Sequence, residues 1–311
     1  METRVKRRKR KLKKGRVLMA FILLFILVTG GFAGSQYWMG LQASKGAQPF
    51  ETDYTDSFNG QKTADGKTNI LLIGVDSRGE EQSRSDTMMI AQWDGETDTI
   101  KLVSLMRDIY TEIPEYGGYK LNTAYYLGGP ELLRQTVKEN FDIDVEHYML
   151  VDFKAFESVV DAMAPDGIEI DVEKDMSEKI GVSLTEGVHK LNGQELLGYA
   201  RFRADSEGDF GRVRRQQQVI EAVKDHAVSI SGVMKAPKML GTAQPYIQTS
   251  MSSAKGAELL SRILLSGGGE IERKTIPLEG TYTTPTYEGA GSVLEIDWET
   301  NRQELKKFLG E

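Results

Sequence analysis

"TNILLIGVD", residues 68–76, is a continuous apolar run of strand length closed by an acid. The turn-like "SRGEEQSRSD" (77–86) follows, and then "TMMIAQWDGETDTIKLVSL" (87–105) reads as two strands around the Asp94-Gly95 turn signal. "GPELLRQTVKENF" (129–141) has helical composition, with Pro130 suited to a first turn. "HYMLVDF" and "GIEIDV" read as strands on either side of the helical "DFKAFESVVDAM". Strand, helix, strand, helix predicts an α/β fold, three-layer-like, with a central mixed β-sheet flanked by helices.

Helix signals continue toward the C-terminus. "LNGQELLGYA" (191–200) starts with a capping box of Asn192 and Glu195. Asp209 is placed to cap the next helix, which runs to about His226. On that helix Arg212, Gln216 and Val219 share one face, so Arg212 and Gln216 can reach one ligand together. Residues 233–265 read as two more helices, "EIERKTIPLEG" as a strand, and "TNRQELKKFLGE" as a closing helix capped by Thr300 and Gln303.

The net charge of −7 hides a sharp split. Residues 1–16, "METRVKRRKRKLKKGR", hold ten Lys/Arg and one acid, which leaves 29 basic against 45 acidic residues beyond them, a net of −16. "VLMAFILLFILVTGGFAG" (17–34) then carries no charge and is long enough as a helix to span a hydrocarbon core. Basic residues ahead of it put the N-terminus in the cytoplasm and the body outside. The expected layout is a cytoplasmic basic tail (1–16), one N-terminal transmembrane helix (17–38), an extracellular linker (39–67) and an extracellular catalytic domain (68–311) in a single-pass protein of the cell membrane. No clear A-x-A cleavage site follows the apolar run, which favours an uncleaved anchor over a signal peptide. The basic head is also suited to anionic inner-leaflet lipids, and no helix-turn-helix pattern accompanies it, so nucleic acid is not an expected partner.

Several chemistries find no support. There is no cysteine, and His147, His189 and His226 lack metal-ligand spacing. No G-x-S-x-G elbow occurs; "SSAK" (252–255) lacks its S-D-N and K-T-G companions, and "SGGGE" (266–270) has no Walker Lys-Ser/Thr. Acid and arginine remain. Asp76 ends one strand and Asp86 precedes the next, so their carboxylates can converge on a hard cation such as Mg²⁺. Arg78 and Arg84 flank the same loop, Arg107 ends the strand "KLVSL", and "RFRADSEGDFGRVRRQQQ" (201–218) adds Arg201, Arg203, Arg212, Arg214 and Arg215. Guanidinium groups are suited to bidentate phosphate binding, and an acidic body needs such a local concentration to hold a polyphosphate. The plainer reading pairs them with Asp205, Glu207, Asp209 and Asp108 on a solvated surface, and Arg214 fits that role.

In order, "NILLIGVDSR" (69–78), "RSDTMM" (84–89), "LVSLMRD" (102–108), "KLNTAYYLGG" (120–129), "LNGQELLGYARFR" (191–203) and "GDFGRVRRQQQVI" (208–220) resemble the motifs of the LytR-CpsA-Psr family of cell-envelope proteins. The resemblance implies a phosphotransferase that takes a glycopolymer, such as teichoic acid or a capsular polysaccharide, from a polyprenyl-pyrophosphate carrier. It would attach that polymer to the muramic acid 6-hydroxyl of peptidoglycan and release polyprenyl phosphate. By matching motif, Asp76 and Asp86 would hold Mg²⁺ or Mn²⁺. Arg78, Arg84, Arg107, Arg201, Arg203, Arg212 and Gln216 would bind pyrophosphate, Asp76, Arg107, Arg201 and Arg203 would serve catalysis, and Asp209 and Arg215 would give close support. Two departures stand out: Met106 replaces the family's Pro before Arg107, and "MAPDGI" (163–168) replaces its "GGV". A regulator, or a module that binds lipid-linked glycan without transferring it, is the alternative from another class.

Overall fold

The computed structural model describes residues 14–44, 50, 52–75, 85–97, 99–265 and 271–311. Helix α1 (Lys14–Ala43) comes first. The strands β1 (Thr68–Val75), β2 (Ser85–Asp94) and β3 (Thr99–Leu105) follow, then the hairpin β4 (Tyr110–Ile113) and β5 (Gly117–Lys120). Next come α2 (Leu121–Phe141), β6 (His147–Asp152), α3 (Phe153–Met163), β7 (Ile168–Val172), β8 (Gly187–Leu191), α4 (Gly193–Arg201) and α5 (Gly208–Val228). The chain closes through α6 (Ile230–Ala243), β9 (Ile247–Thr249), α7 (Ser253–Leu265), β10 (Ile271–Ile276) and α8 (Trp298–Leu309).

Six strands form the main sheet in the order β10-β3-β2-β1-β6-β9. β2 runs antiparallel to both β1 and β3, whereas β6 runs parallel to β1 and β10 parallel to β3. The sheet is therefore mixed, as expected. β1, β3, β6 and β10 point the same way, so their C-terminal ends share one edge, the usual place for a ligand in an open α/β sheet.

The continuous apolar run of β1 has a simple cause: both faces of the strand are covered. Leu71, Ile73 and Val75 face a core with Leu133, Val137 and Phe141 of α2 and Leu305 and Leu309 of α8. Ile70 packs instead with Trp93, Met251 and Leu259 of α7, and Leu72 lies against the same cluster. Each such fully buried Leu or Ile contributes about 2 kcal/mol. A second core joins α3, α4, β7 and β8 to Val219 of α5 and Met239 of α6.

Most helices begin where the local sequence says, with four differences. α2 starts at Leu121, and the Pro130 segment is its second half beyond a break at Gly128 and Gly129, where Gly129 takes φ +63° against the Tyr54 ring. The GIEIDV strand, β7, is a hairpin with β8 and does not join the main sheet. The short β9 lies between the two helices of 233–265. At the last helix Asp297, not Thr300, is the N-cap, accepting from the Thr300 backbone N–H. The Asn192–Glu195 capping box is present in full.

The stretch 39–67, expected as a linker, in part packs on the domain. Phe50, Tyr54 and Phe58 lie against the first core, and the Gln61 N–H donates to the Val145 carbonyl at 2.7 Å. Of the apolar run 17–34, side chains are described only from Thr29 onward. Among the described residues no helix is long and apolar enough to cross a membrane.

Candidate functional site

The shared C-terminal edge of the sheet delivers three groups by different routes. Asp86 is the second residue of β2, Arg107 stands just beyond β3, and Phe153 follows β6 as the first residue of α3. Met106, where the related motif has Pro, is buried in the core, and its N–H donates to the Ile276 carbonyl at 3.0 Å. The segment that aims Arg107 is thus anchored without proline. "MAPDGI" closes as a tight turn, with the Gly167 N–H donating to the Ala164 carbonyl at 2.9 Å.

Helices α4 and α5 supply the rest. Arg201 ends α4, Arg203 follows it, and the first turns of α5 carry Asp209, Arg212 and Gln216. A cavity of about 340 Å³ opens between these pieces, lined by Asp86, Phe153, Glu178, Lys179, Arg201, Arg203, Ala204, Arg212 and Gln216. Next to it a recess bounded by Asp86, Arg107, Arg212 and Gln216 reaches toward the sheet. Four cations thus meet two carboxylates around the cavity of a chain whose net charge is −7.

An ion-pair network holds the arginines in place. Arg107 donates from Nη1 to Asp86 Oδ1 and from Nε to Asp209 Oδ2 at 3.1 Å, and its Nε also lies 3.4 Å from Asp108. Arg212 Nη2 donates to the same Asp209 oxygen at 3.2 Å. Asp209 therefore does not cap α5: the helix starts one residue earlier, Glu207 holds the N-cap position without a side-chain bond, and the Asp209 carboxylate is engaged by two guanidinium groups. Gln216 Nε2 donates to Thr87 Oγ1 at 2.9 Å, and the Arg201 guanidinium lies 5.4 Å from the centre of the Phe153 ring.

Electrostatics at the site are strained toward an anion. Burial pushes the Arg212 guanidinium pKa down, and the charges of Arg107 and Arg203 add to that effect against Asp209 and Asp86. Burial also works to lower Arg107, but Asp209, Asp86 and Asp108 outweigh it and raise its pKa. Arg212 Nε is buried without a hydrogen-bond partner. A buried donor left unsatisfied costs about 1–3 kcal/mol.

Not every expected residue belongs to the cavity. Arg215 is fully buried and turned away: Nη2 and Nη1 donate to Asp205 Oδ2 at 2.7 and 3.2 Å, and the guanidinium lies 5.1 Å from the centre of the Phe202 ring. It holds the 202–207 turn rather than a ligand. Arg214 pairs on the surface with Glu173 and Glu207, as expected. Asp76, Arg78 and Arg84 lie outside the described residues. Sequence reasoning missed Lys179, Glu178 and Phe153 as lining groups. The first two sit on the β7–β8 connection and carry no motif, and Phe153 reads from the sequence only as the junction of the strand "HYMLVDF" with the helix "DFKAFESVVDAM".

As a metal site the described donors are sparse. No group of three or more His, Asp or Glu side chains able to hold an ion occurs among the described residues. Asp86 lines the cavity with its side chain 35% exposed. That fits Mg²⁺, which takes one or two carboxylates and completes its shell with water and phosphate oxygens.

The model of the LytR_cpsA_psr family matches residues 38–306. The chain is 46% identical over 254 residues to the regulatory protein MsrR of Staphylococcus aureus (strain COL), covering 82% of this chain and 78% of that one. It is 34% identical over 241 residues to the polyisoprenyl-teichoic acid–peptidoglycan teichoic acid transferase TagU of Oceanobacillus iheyensis, covering 75% and 73%. Among solved structures, B. subtilis TagV superposes with a TM-score of 0.65 at 28% identity, covering 78% of this chain and 97% of that one. TagT bound to LI-WTA superposes with a TM-score of 0.61 at 27% identity, covering 79% and 91%.

Proposed function

The chain belongs to the LytR-CpsA-Psr family, and on that premise we propose that it is a phosphotransferase moving a polyprenyl-pyrophosphate-linked glycopolymer onto peptidoglycan. One observation carries the reading. The cavity at the sheet edge concentrates Arg201, Arg203, Arg212 and Lys179 in its lining. Such a lining is suited to a pyrophosphate.

In this reading Arg201, Arg203 and Arg212 hold the non-bridging oxygens of the donor, while Arg107 is aimed from the adjacent recess. The muramic acid 6-hydroxyl attacks the sugar-side phosphorus, a new O–P bond forms, and the bridging P–O bond breaks to release polyprenyl phosphate. Charge that grows on the leaving oxygen is met by guanidinium groups already in place. The hydroxyl proton goes to a carboxylate, for which we propose Asp76. Asp86, together with Asp76, would hold Mg²⁺ or Mn²⁺, which when bound neutralises phosphate charge. The run 17–34 is proposed to anchor the domain on the outer side of the cell membrane, with the basic head against inner-leaflet lipids.

The test is transfer in vitro by the full chain in vesicles, with a synthetic polyprenyl-pyrophosphate glycan and peptidoglycan fragments. Linked product from wild type, lost with EDTA and in Arg201→Ala and Asp86→Ala, is the expected result. Donor binding without product from any acceptor would replace transfer by a binding module. Absence of donor binding would reduce the arginines to structural charge.

A further inference from the structure

Helix α1 is continuous from Lys14 to Ala43, so residues 35–43 extend beyond the apolar run as a rod of about 13 Å. This rod is docked, not free. Gly40 of α1 meets Gly241 of α6 at backbone contact: a Cβ on Gly40 would stand 2.2 Å from the Lys238 carbonyl oxygen, and one on Gly241 would stand 2.2 Å from that of Tyr37. Small residues at a crossing allow such close approach. The Tyr37 hydroxyl reaches Gln244 Oε1, tying the pair on a second point. α6 is itself joined to the domain, since Met239 packs on the second core and Lys235 Nζ donates to the Met163 carbonyl at 3.1 Å.

Both helices carry exposed apolar side chains. Trp38 is 61% exposed, beside exposed Phe32 and Met39 on α1. On α6 Met234 is 58% exposed, and Val233 and Leu240, two turns apart on one face, are exposed as well. Exposed apolar side chains gathered on two packed helices mark a contact surface, and α1 leads back from them into the uncharged run 17–34. Tyr37 and Trp38 fall just past that run, where aromatic residues of spanning helices meet the headgroups.

We propose that the exposed apolar side chains of α6, together with residues 32–39 of α1, form a membrane-contacting surface seated in the interface of the bilayer that 17–34 spans. The catalytic cavity is thereby held at a set height and orientation above the lipid, instead of swinging on a tether. The proposal rests on the reading of 17–34 as a span; the occupant is the lipid surface, argued from continuity with that run.

The chain has no native cysteine, so single labels report cleanly. Full-length protein in phosphatidylglycerol-containing vesicles is labelled with an environment-sensitive fluorophore at Leu24→Cys, Met234→Cys, Leu240→Cys or Val188→Cys. Brominated acyl chains serve as quencher. Strong quenching at 24, intermediate quenching with a blue shift at 234 and 240, and none at the exposed Val188 position is the expected result. Quenching at 24 with water-like emission at 234 and 240 overturns the surface and leaves the span intact; water-like emission at all four sites overturns both. A blue shift at 234 and 240 without quenching assigns the patch to a protein contact and also overturns it. Gly241→Leu, checked for folding by circular dichroism, should separate α6 from α1 and abolish quenching at 240 while that at 24 persists. Unchanged quenching at 240 would refute the rigid docking.

Discussion

Arg215→Met removes a guanidinium while keeping most of its bulk, at a position with zero side-chain exposure. Three acids surround that group: Asp205, itself 8% exposed, with Glu173 at 3.6 Å and Glu207 at 3.9 Å. Breaking a buried pair by removing one partner costs about 3–5 kcal/mol, because the other charge stays buried. Asp205 keeps Lys174 at 3.2 Å and the backbone N–H groups of Glu207 and Gly208, so the low end, about 3 kcal/mol, applies. Urea melts of wild type, R215M, D205N and the double variant would measure it, with a coupling of about 2 kcal/mol expected from the cycle. Donor binding, assayed well below the melting temperature, should change much less than in R201A, because Arg215 does not line the cavity. A stability loss under about 1 kcal/mol would refute the buried-pair argument. Loss of donor binding at full stability would put Arg215 on the ligand.

Asp209→Asn leaves Arg212 without the carboxylate that offsets its burial, and transfer measured as kcat/KM should fall about 10- to 100-fold, the cost of one charge-assisted hydrogen bond; a fall below about threefold would count against the shared clamp. Lys179→Ala removes an exposed cation, 3.6 Å from Glu178, from the cavity wall, and the donor KM should rise about threefold with kcat kept. Asp108 tests the pH dependence. Burial pushes its carboxyl up, but the Lys120 hydrogen bond and the Arg107 and Lys120 charges outweigh that, so its folded pKa lies below the unfolded value. Its contribution is then present above about pH 4 and lost as pH falls through the lower folded value, so the stability gap between wild type and D108N should shrink from pH 7 to pH 3 in urea melts. A gap that widens on acidification would reverse the sign.

Local pattern was enough to place the main strands, because β1 is apolar on both faces and its neighbours are punctuated by Asp94-Gly95 and by Asp152 at the start of α3. It was enough for the Arg212–Gln216 pair as well, since a spacing of four on a helix puts two side chains on one face whatever surrounds them. Pairing between strands is not a local property. Nothing in GIEIDV distinguishes a hairpin with β8 from a strand of the main sheet, and only the packing of α3 and α4 decides it. The same limit applies to the arginines. Arg212 and Arg215 are three residues apart in identical company, yet one borders the cavity and the other is enclosed by Asp205, Glu173 and Glu207. A guanidinium goes where carboxylates wait for it, and the positions of those carboxylates, like those of Lys179 and Phe153, exist only once distant segments have been brought to one edge of the sheet.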